Sequence, residues 1–136
     1  MNSLERTLAE RRNTMKKMVI LGLGLLILVG CSTPMSFTDK PLEPYDRDTK
    51  YRIDETEKGF IITIYYSRYQ FYPESNIIAM ACKSSLTSIA YEYAQNKNRD
   101  IKPINEQMIR ISMARSGLGI SSCSATVRVQ WQEETK

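Results

Sequence analysis

The chain has 136 residues, of which 42% are hydrophobic and 25% are charged, a composition typical of one small domain. It contains no histidine, which excludes the commonest general base, the nucleophiles that pair serine or cysteine with histidine, and most zinc sites. Residues 1–30 carry five basic and two acidic side chains, so the net charge of +4 reduces to 14 basic against 13 acidic groups in the rest of the chain. A nearly neutral domain gives no electrostatic reason to expect a nucleic-acid partner.

The region before Cys31 has the pattern of a secretory signal peptide. Lys16 and Lys17 precede an apolar block of 13 residues, Met18–Gly30, and the block ends in small residues. This block is shorter than the about 20 apolar residues that an ordinary membrane-spanning helix needs. The pattern therefore favours a cleaved signal over a permanent transmembrane anchor.

Residues 1–14 are polar and precede Met15, which would itself begin a conventional signal peptide. We expect either that translation starts at Met15 or that the basic region of the signal is unusually long. In both cases residues 1–30 lie outside the folded domain.

The tetrad Leu28-Val29-Gly30-Cys31 resembles the lipobox of bacterial lipoproteins. The resemblance implies cleavage before Cys31, diacylation of its thiol and, usually, acylation of the new amino terminus. One acyl chain anchors a protein only marginally, whereas two or three hold it stably in a bilayer. Ser32 in place of an aspartate implies an outer-membrane protein that faces the periplasm or the cell surface. The alternative is a free core cysteine behind an uncleaved anchor.

Residues 31–49 are expected to form a lipidated tether. This segment contains three prolines and four acidic residues but few large apolar side chains. Fully stretched, its 18 residues after the cysteine could span roughly 50 Å.

The first elements of the domain are predicted to form a β-hairpin. Tyr51–Asp54 alternates, Glu55–Gly59 supplies a polar loop, and Phe60–Tyr69 is rich in β-branched and aromatic residues. Both faces of the second strand are fairly apolar, so we expect that strand to be central or covered on both sides.

A helix is predicted from Pro73-Glu74-Ser75 to about Asn96, because proline and an acidic residue favour a helix start. Pro103 prevents the helix from resuming further on. Apolar positions recur at helical spacing and indicate one amphipathic helix; they are Ile78, Cys82, Leu86 (or Ser85), Ile89 and Tyr93.

Two further strands follow the helix. Met108–Arg115 alternates, Ser116–Gly119 supplies a turn, and Cys123–Trp131 shows the clearest alternation in the chain. Together the elements predict an α+β fold of ββαββ type, a four-stranded, mainly antiparallel sheet with one helix packed on one face. The domain would cover residues 50–132 and leave 133–136 as a tail.

The remaining cysteines, Cys82 and Cys123, are predicted to form a disulfide, because an even pair in a small exported domain is usually oxidised. One lies on the apolar stripe of the predicted helix and the other on the apolar face of the last strand, so the bond would fasten the helix to the sheet. The alternative is two separately buried thiols.

Candidate chemistry is sparse. The carboxylates of Asp54, Glu55 and Glu57 cluster at the first hairpin, but without metal-binding spacing they are expected to be exposed loop charges. We expect no catalytic residue, no cofactor and no metal. Tyrosine and arginine are enriched in binding hot spots, and the sheet face opposite the helix would present the candidate partner-binding residues Tyr65, Tyr69, Arg110 and Arg128.

Two hypotheses follow. The first is a non-enzymatic envelope lipoprotein that binds or positions a protein partner, as an accessory of a secretion, conjugation or envelope-assembly system or as an exclusion or inhibitor factor. The second is a small periplasmic ligand-binding or carboxylate-based hydrolytic domain, which would require a cleft with converging acids. A structural lipoprotein with an ordinary solvated sheet face is the remaining alternative.

Overall fold

The computed structural model describes residues 8, 10–12 and 33–133. The chain divides into two compact units, residues 1–31 and 32–136. In the first unit, Leu8 and residues 10–12 are helical. The predicted signal residues 13–30, the lipidation site Cys31 and residues 134–136 of the tail lie outside the described residues.

Within the described part of the chain, no helix combines the length and the apolar character needed to cross a membrane.

The second unit has an α+β fold in which one helix packs on one face of an antiparallel sheet. Among the described residues the sheet has five strands in the order β1-β2-β3-β5-β4, and every neighbouring pair is antiparallel. The strands are β1 (Glu43–Pro44), β2 (Thr49–Thr56), β3 (Gly59–Tyr69), β4 (Arg110–Arg115) and β5 (Ile120–Gln130).

The central strand β3 pairs along its whole length with β5 and along most of it with β2. Its alternate residues Phe60, Ile62 and Ile64 are completely buried on the face that carries the helix, which we call the inner face. The prediction of a central strand is therefore confirmed. The helix covers one face of β3 and residues 35–40 cross the other, which explains why both faces carry apolar side chains.

The predicted helix is confirmed as α1 (Ser75–Asn96). It packs against β3 and β5, because its apolar positions at helical spacing face the sheet. The helix ends where Lys97 donates its backbone N–H to the carbonyls of Tyr93 and Ala94 and Asn98 adopts a left-handed φ of 50°. Its buried residues are Ile78, Cys82, Leu86, Ile89, Ala90 and Ala94.

The disulfide between Cys82 of α1 and Cys123 of β5 is present, and both residues are completely buried. It joins the helix to the middle of the inner face, as the two apolar patterns predicted. At one end of the same core the ring of Phe60 packs against Tyr93 and Trp131, with centroids 4.9 and 5.2 Å apart.

The predicted count of four strands is wrong, because β1 forms a short fifth strand beside β2. Glu43 and Pro44 are poor strand residues, but proline is tolerated at a sheet edge where its missing N–H is not needed. The side chain of Asp46 accepts hydrogen bonds from the backbone N–H groups of Asp48 and Thr49, at 2.8 and 2.7 Å. This local turn returns the chain into β2 and sets the edge pairing.

Candidate functional site

The side of the sheet away from α1, the outer face, is crossed by residues 35–40. The backbone N–H of Met35 donates to the hydroxyl of Ser112 on β4, at 2.9 Å. The guanidinium of Arg110 lies 5.0 Å from the ring centre of Phe37. Residues 35–48, which we assigned to the tether, thus lie against the sheet or form its edge, because Phe37 and the polar groups around it find partners there.

At the far side of the sheet, Lys40 completes this crossing. Its ammonium lies 2.6 Å from the carboxylate of Asp54, and the guanidinium of Arg52 lies 3.4 Å from the same carboxylate. Beneath the segment, Thr63 and Thr126 are only 2% and 8% exposed, and their hydroxyls are hydrogen-bonded to each other at 3.0 Å. The middle of the outer face is therefore covered, and its buried hydroxyl groups are hydrogen-bonded within the protein.

Beside the crossing segment lies a groove of about 610 Å³, the outer-face groove. It combines apolar side chains with two arginines that project from neighbouring strands. Within residues 33–133, Arg128 forms no ion pair and is exposed. The side chains that define the groove are Phe37, Ile61, Ile104, Met108, Arg110 and Arg128.

The four predicted partner-binding residues all lie on the outer face, but they do not form one site. Arg110 and Arg128 share the outer-face groove. Tyr65 is half-buried between strands β2 and β5, opposite Lys50 and Ser124. Tyr69 pairs with Ile120, eight residues before Arg128 on β5, a separation of about 27 Å along the strand.

Tyr69 instead belongs to a second exposed surface, the apolar tip, at the end of the sheet where β3 leaves for α1. The backbone N–H of Gln70 donates to the carbonyl of Gly119 at 2.9 Å, which brings the loop after β3 against the turn between β4 and β5. Phe71 and Leu118 are 75% and 83% exposed. The tip comprises Tyr69, Phe71, Tyr72, Leu118 and Ile120.

The sequence predicted Tyr69 as a partner-binding residue but did not predict the rest of the apolar tip, because its two halves are about 50 residues apart in the chain. One signal was present: Phe71-Tyr72 follows directly after a strand and precedes the proline that starts a helix. Two aromatic residues in that position lie beyond the end of β3, so they cannot pack in the core between the sheet and α1. Their rings instead pack edge to face on each other, with centroids 5.0 Å apart.

Two of the three hairpin carboxylates, those of Asp54 and Glu55, lie on opposite faces of the sheet. Asp54 faces the outer side, where Lys40 and then Arg52 hold the pKa of its carboxyl below the usual value. Glu55 faces the inner side, where its ion pair with Lys97 at 2.8 Å and a hydrogen bond from the Tyr93 hydroxyl also lower its pKa.

A general acid needs a raised pKa, and an acid–base pair needs two carboxyls on the same side of a cleft. Asp54 and Glu55 meet neither condition, because each carboxylate stabilises a contact on its own face of the sheet. In the part of the chain that the structure describes, no group of three or more acidic or cysteine side chains is placed to hold a metal ion.

No protein-family model matches this chain, and neither a curated protein nor a solved structure shows significant similarity to it.

Proposed function

We propose that this protein is a non-enzymatic lipoprotein of the cell envelope that binds a protein partner through the outer-face groove. The anchor rests on the lipobox-like tetrad that ends at Cys31. The domain would sit on the outer membrane and face the periplasm or the cell surface, as an accessory or inhibitor of an envelope machine. The observation that carries the binding proposal is that Arg128 is exposed and forms no ion pair with any residue that the structure describes, while Arg110 and apolar side chains lie beside it in one groove.

The groove defines the chemistry of the partner. The guanidinium of Arg128 can bind a carboxylate through two parallel hydrogen bonds. The guanidinium of Arg110 already lies over the ring of Phe37. Ile104 and Met108 supply apolar contact area next to these charges. The best fit is a segment that presents an acidic side chain next to one or two apolar ones, because such a segment satisfies both parts of the groove.

The anchor is tested by Cys31→Ala. We expect this variant to lose acyl chains, to escape cleavage before residue 31 and to leave the detergent-soluble lipoprotein fraction, because no other group is proposed to carry the lipid. Metabolic labelling with a fatty-acid analogue and mass spectrometry of the mature amino terminus measure these effects. Unchanged acylation in Cys31→Ala would contradict the lipoprotein proposal.

The groove is tested by Arg128→Ala and by the double variant Arg110→Ala/Arg128→Ala. Crosslinking in intact cells with the acylated protein should first recover the partner. Each hot-spot arginine is expected to contribute about 2 kcal/mol, so affinity for that partner should fall about 30-fold for each. Thermal unfolding should show that both variants remain folded.

Arg47→Ala is the matched control, because Arg47 is almost fully exposed on the opposite edge of the sheet, away from the groove. It should bind the partner as the wild type does. Full binding by the double variant would show that the outer-face groove is not the site.

A further inference from the structure

The apolar tip is unusual for a free surface, because four of its five large side chains are mostly exposed and are carried by two segments that a backbone hydrogen bond joins. Tyr69, Phe71 and Tyr72 are 63%, 75% and 74% exposed, and Leu118 is 83% exposed. The exposed Arg68 stands just behind them on β3. Aromatic rings next to a basic side chain are the composition that proteins use at the level of lipid headgroups.

The path of residues 35–40 limits how far from the apolar tip a lipid anchor at Cys31 could lie. Residues 35–40 contact Ser112, then Arg110 and then Asp54, so the segment runs away from the apolar tip as it crosses the sheet. Its contact nearest the tip is therefore the one at Met35. Ser112 is three residues from Arg115 at the tip end of β4, a distance of about 10 Å.

The chain between Cys31 and Met35 is short. Four residues of extended chain span at most about 14 Å. This distance is counted from Met35, whose position is fixed by its hydrogen bond to Ser112. The roughly 50 Å that a free 18-residue tether could span is thus reduced, because most of the tether is bound to the sheet. Because Met35 lies about 10 Å from the tip end, an acylated Cys31 would hold the bilayer within about 24 Å of that end of the domain.

We propose that the apolar tip inserts into the headgroup region of the same bilayer that holds the acyl chains of Cys31. Phe71, Tyr72 and Leu118 enter the interface, and Arg68 contacts lipid phosphates. The inference rests on the proposed lipid anchor and adds a second, weaker membrane contact to it. The two contacts together fix the orientation of the domain, with the outer-face groove standing roughly perpendicular to the membrane.

Tryptophan fluorescence can test the insertion, because Trp131 is the single tryptophan of the chain and lies beyond Gln130, at the opposite end of β5 from Ile120. Phe71→Trp and, separately, Leu118→Trp place a reporter in the tip. Met108→Trp is the matched control, since Met108 is 67% exposed but lines the outer-face groove. The acylated full-length mature protein is reconstituted in vesicles of phosphatidylethanolamine and phosphatidylglycerol with and without shallow-brominated lipid.

The tip reporters should shift to shorter wavelength and lose about half of their intensity in brominated vesicles, because interfacial side chains lie about 5–10 Å deep. Trp131 in the wild type and the Met108→Trp reporter should keep their intensity. Circular dichroism of each variant should match the wild type.

The outcomes separate the two proposals. Vesicle binding without quenching of either tip reporter would overturn tip insertion and leave the anchor intact. A mature protein that carries no acyl chain would overturn both, because nothing would then hold the tip at the membrane. Tip reporters that shift in isolated cell envelopes but not in pure lipid vesicles would overturn insertion as well, and would show that a protein covers the tip.

Discussion

Replacement of Cys82 or Cys123 with alanine is expected to lower the free energy of unfolding by about 4 kcal/mol, the loss that the chain-entropy model gives for a loop closed across 41 positions. The disulfide is the covalent link between α1 and the sheet, and both of its residues are completely buried. A domain of this size has few other sources of stability of that magnitude. Urea unfolding followed by circular dichroism measures the change.

The double variant Cys82→Ala/Cys123→Ala should lose about as much stability as either single variant, since removing either end removes the same bond. Wild-type protein unfolded in the presence of a reductant is the control that leaves every side chain in place, and its loss should be similar. If the single losses instead added in the double variant, the two cysteines would contribute as independent core residues.

Gly59→Ala is expected to destabilise the domain by about 3 kcal/mol or more, because overpacking against rigid backbone cannot be relieved by a side-chain movement. A Cβ atom at Gly59 would lie 1.9 Å from the carbonyl oxygen of Val129 and 2.9 Å from the Cα of Gln130. Strands β3 and β5 would have to separate at the end of the sheet where Phe60 and Trp131 pack.

Gly117→Ala is the matched control for this prediction. A Cβ atom there meets nothing within 4 Å, and Gly117 does not adopt a positive φ. Its stability should therefore stay within about 0.5 kcal/mol of the wild type. Equal unfolding midpoints for Gly59→Ala and Gly117→Ala would show that β3 and β5 do not approach as closely at Gly59 as the structure indicates.

The part of the fold that the sequence predicted correctly is the part in which local pattern and burial agree. Ile78, Cys82, Leu86 and Ile89 recur at helical spacing and all face the core. Cys123, Ala125, Val127 and Val129 alternate and all face the helix. Because both cysteines fall within these patterns, the disulfide could be predicted from the same observations.

Contacts without a periodic pattern could not be predicted. β1 contains only Glu43 and Pro44, and its pairing depends on the turn at Asp46 and on the free edge of β2. The crossing of Phe37 over the outer face depends on Arg110, which is 73 positions away in the sequence. Proline-rich, acidic segments usually remain extended, and here tertiary contacts override that preference.

The candidate sites show the same division. Alternation correctly placed Tyr65, Tyr69, Arg110 and Arg128 on one face, because strand periodicity determines sidedness. It does not determine position along the strand relative to a partner strand, and so it could not separate the outer-face groove from the apolar tip. That separation follows from the register of β3 with β5, which the sequence alone does not define.

The strand order has a consequence for the moment at which this chain can fold. Among the described strands β5 is the last to be synthesised, yet it lies between β3 and β4 and carries about half of the surface on which α1 packs. A nascent chain that lacks β5 has the β2–β3 hairpin and a helix that can pack only against β3, and its β4 has no neighbouring strand. Complete packing of α1 on the sheet and pairing of β4 are therefore expected only after β5, which ends at Gln130, has left the ribosome.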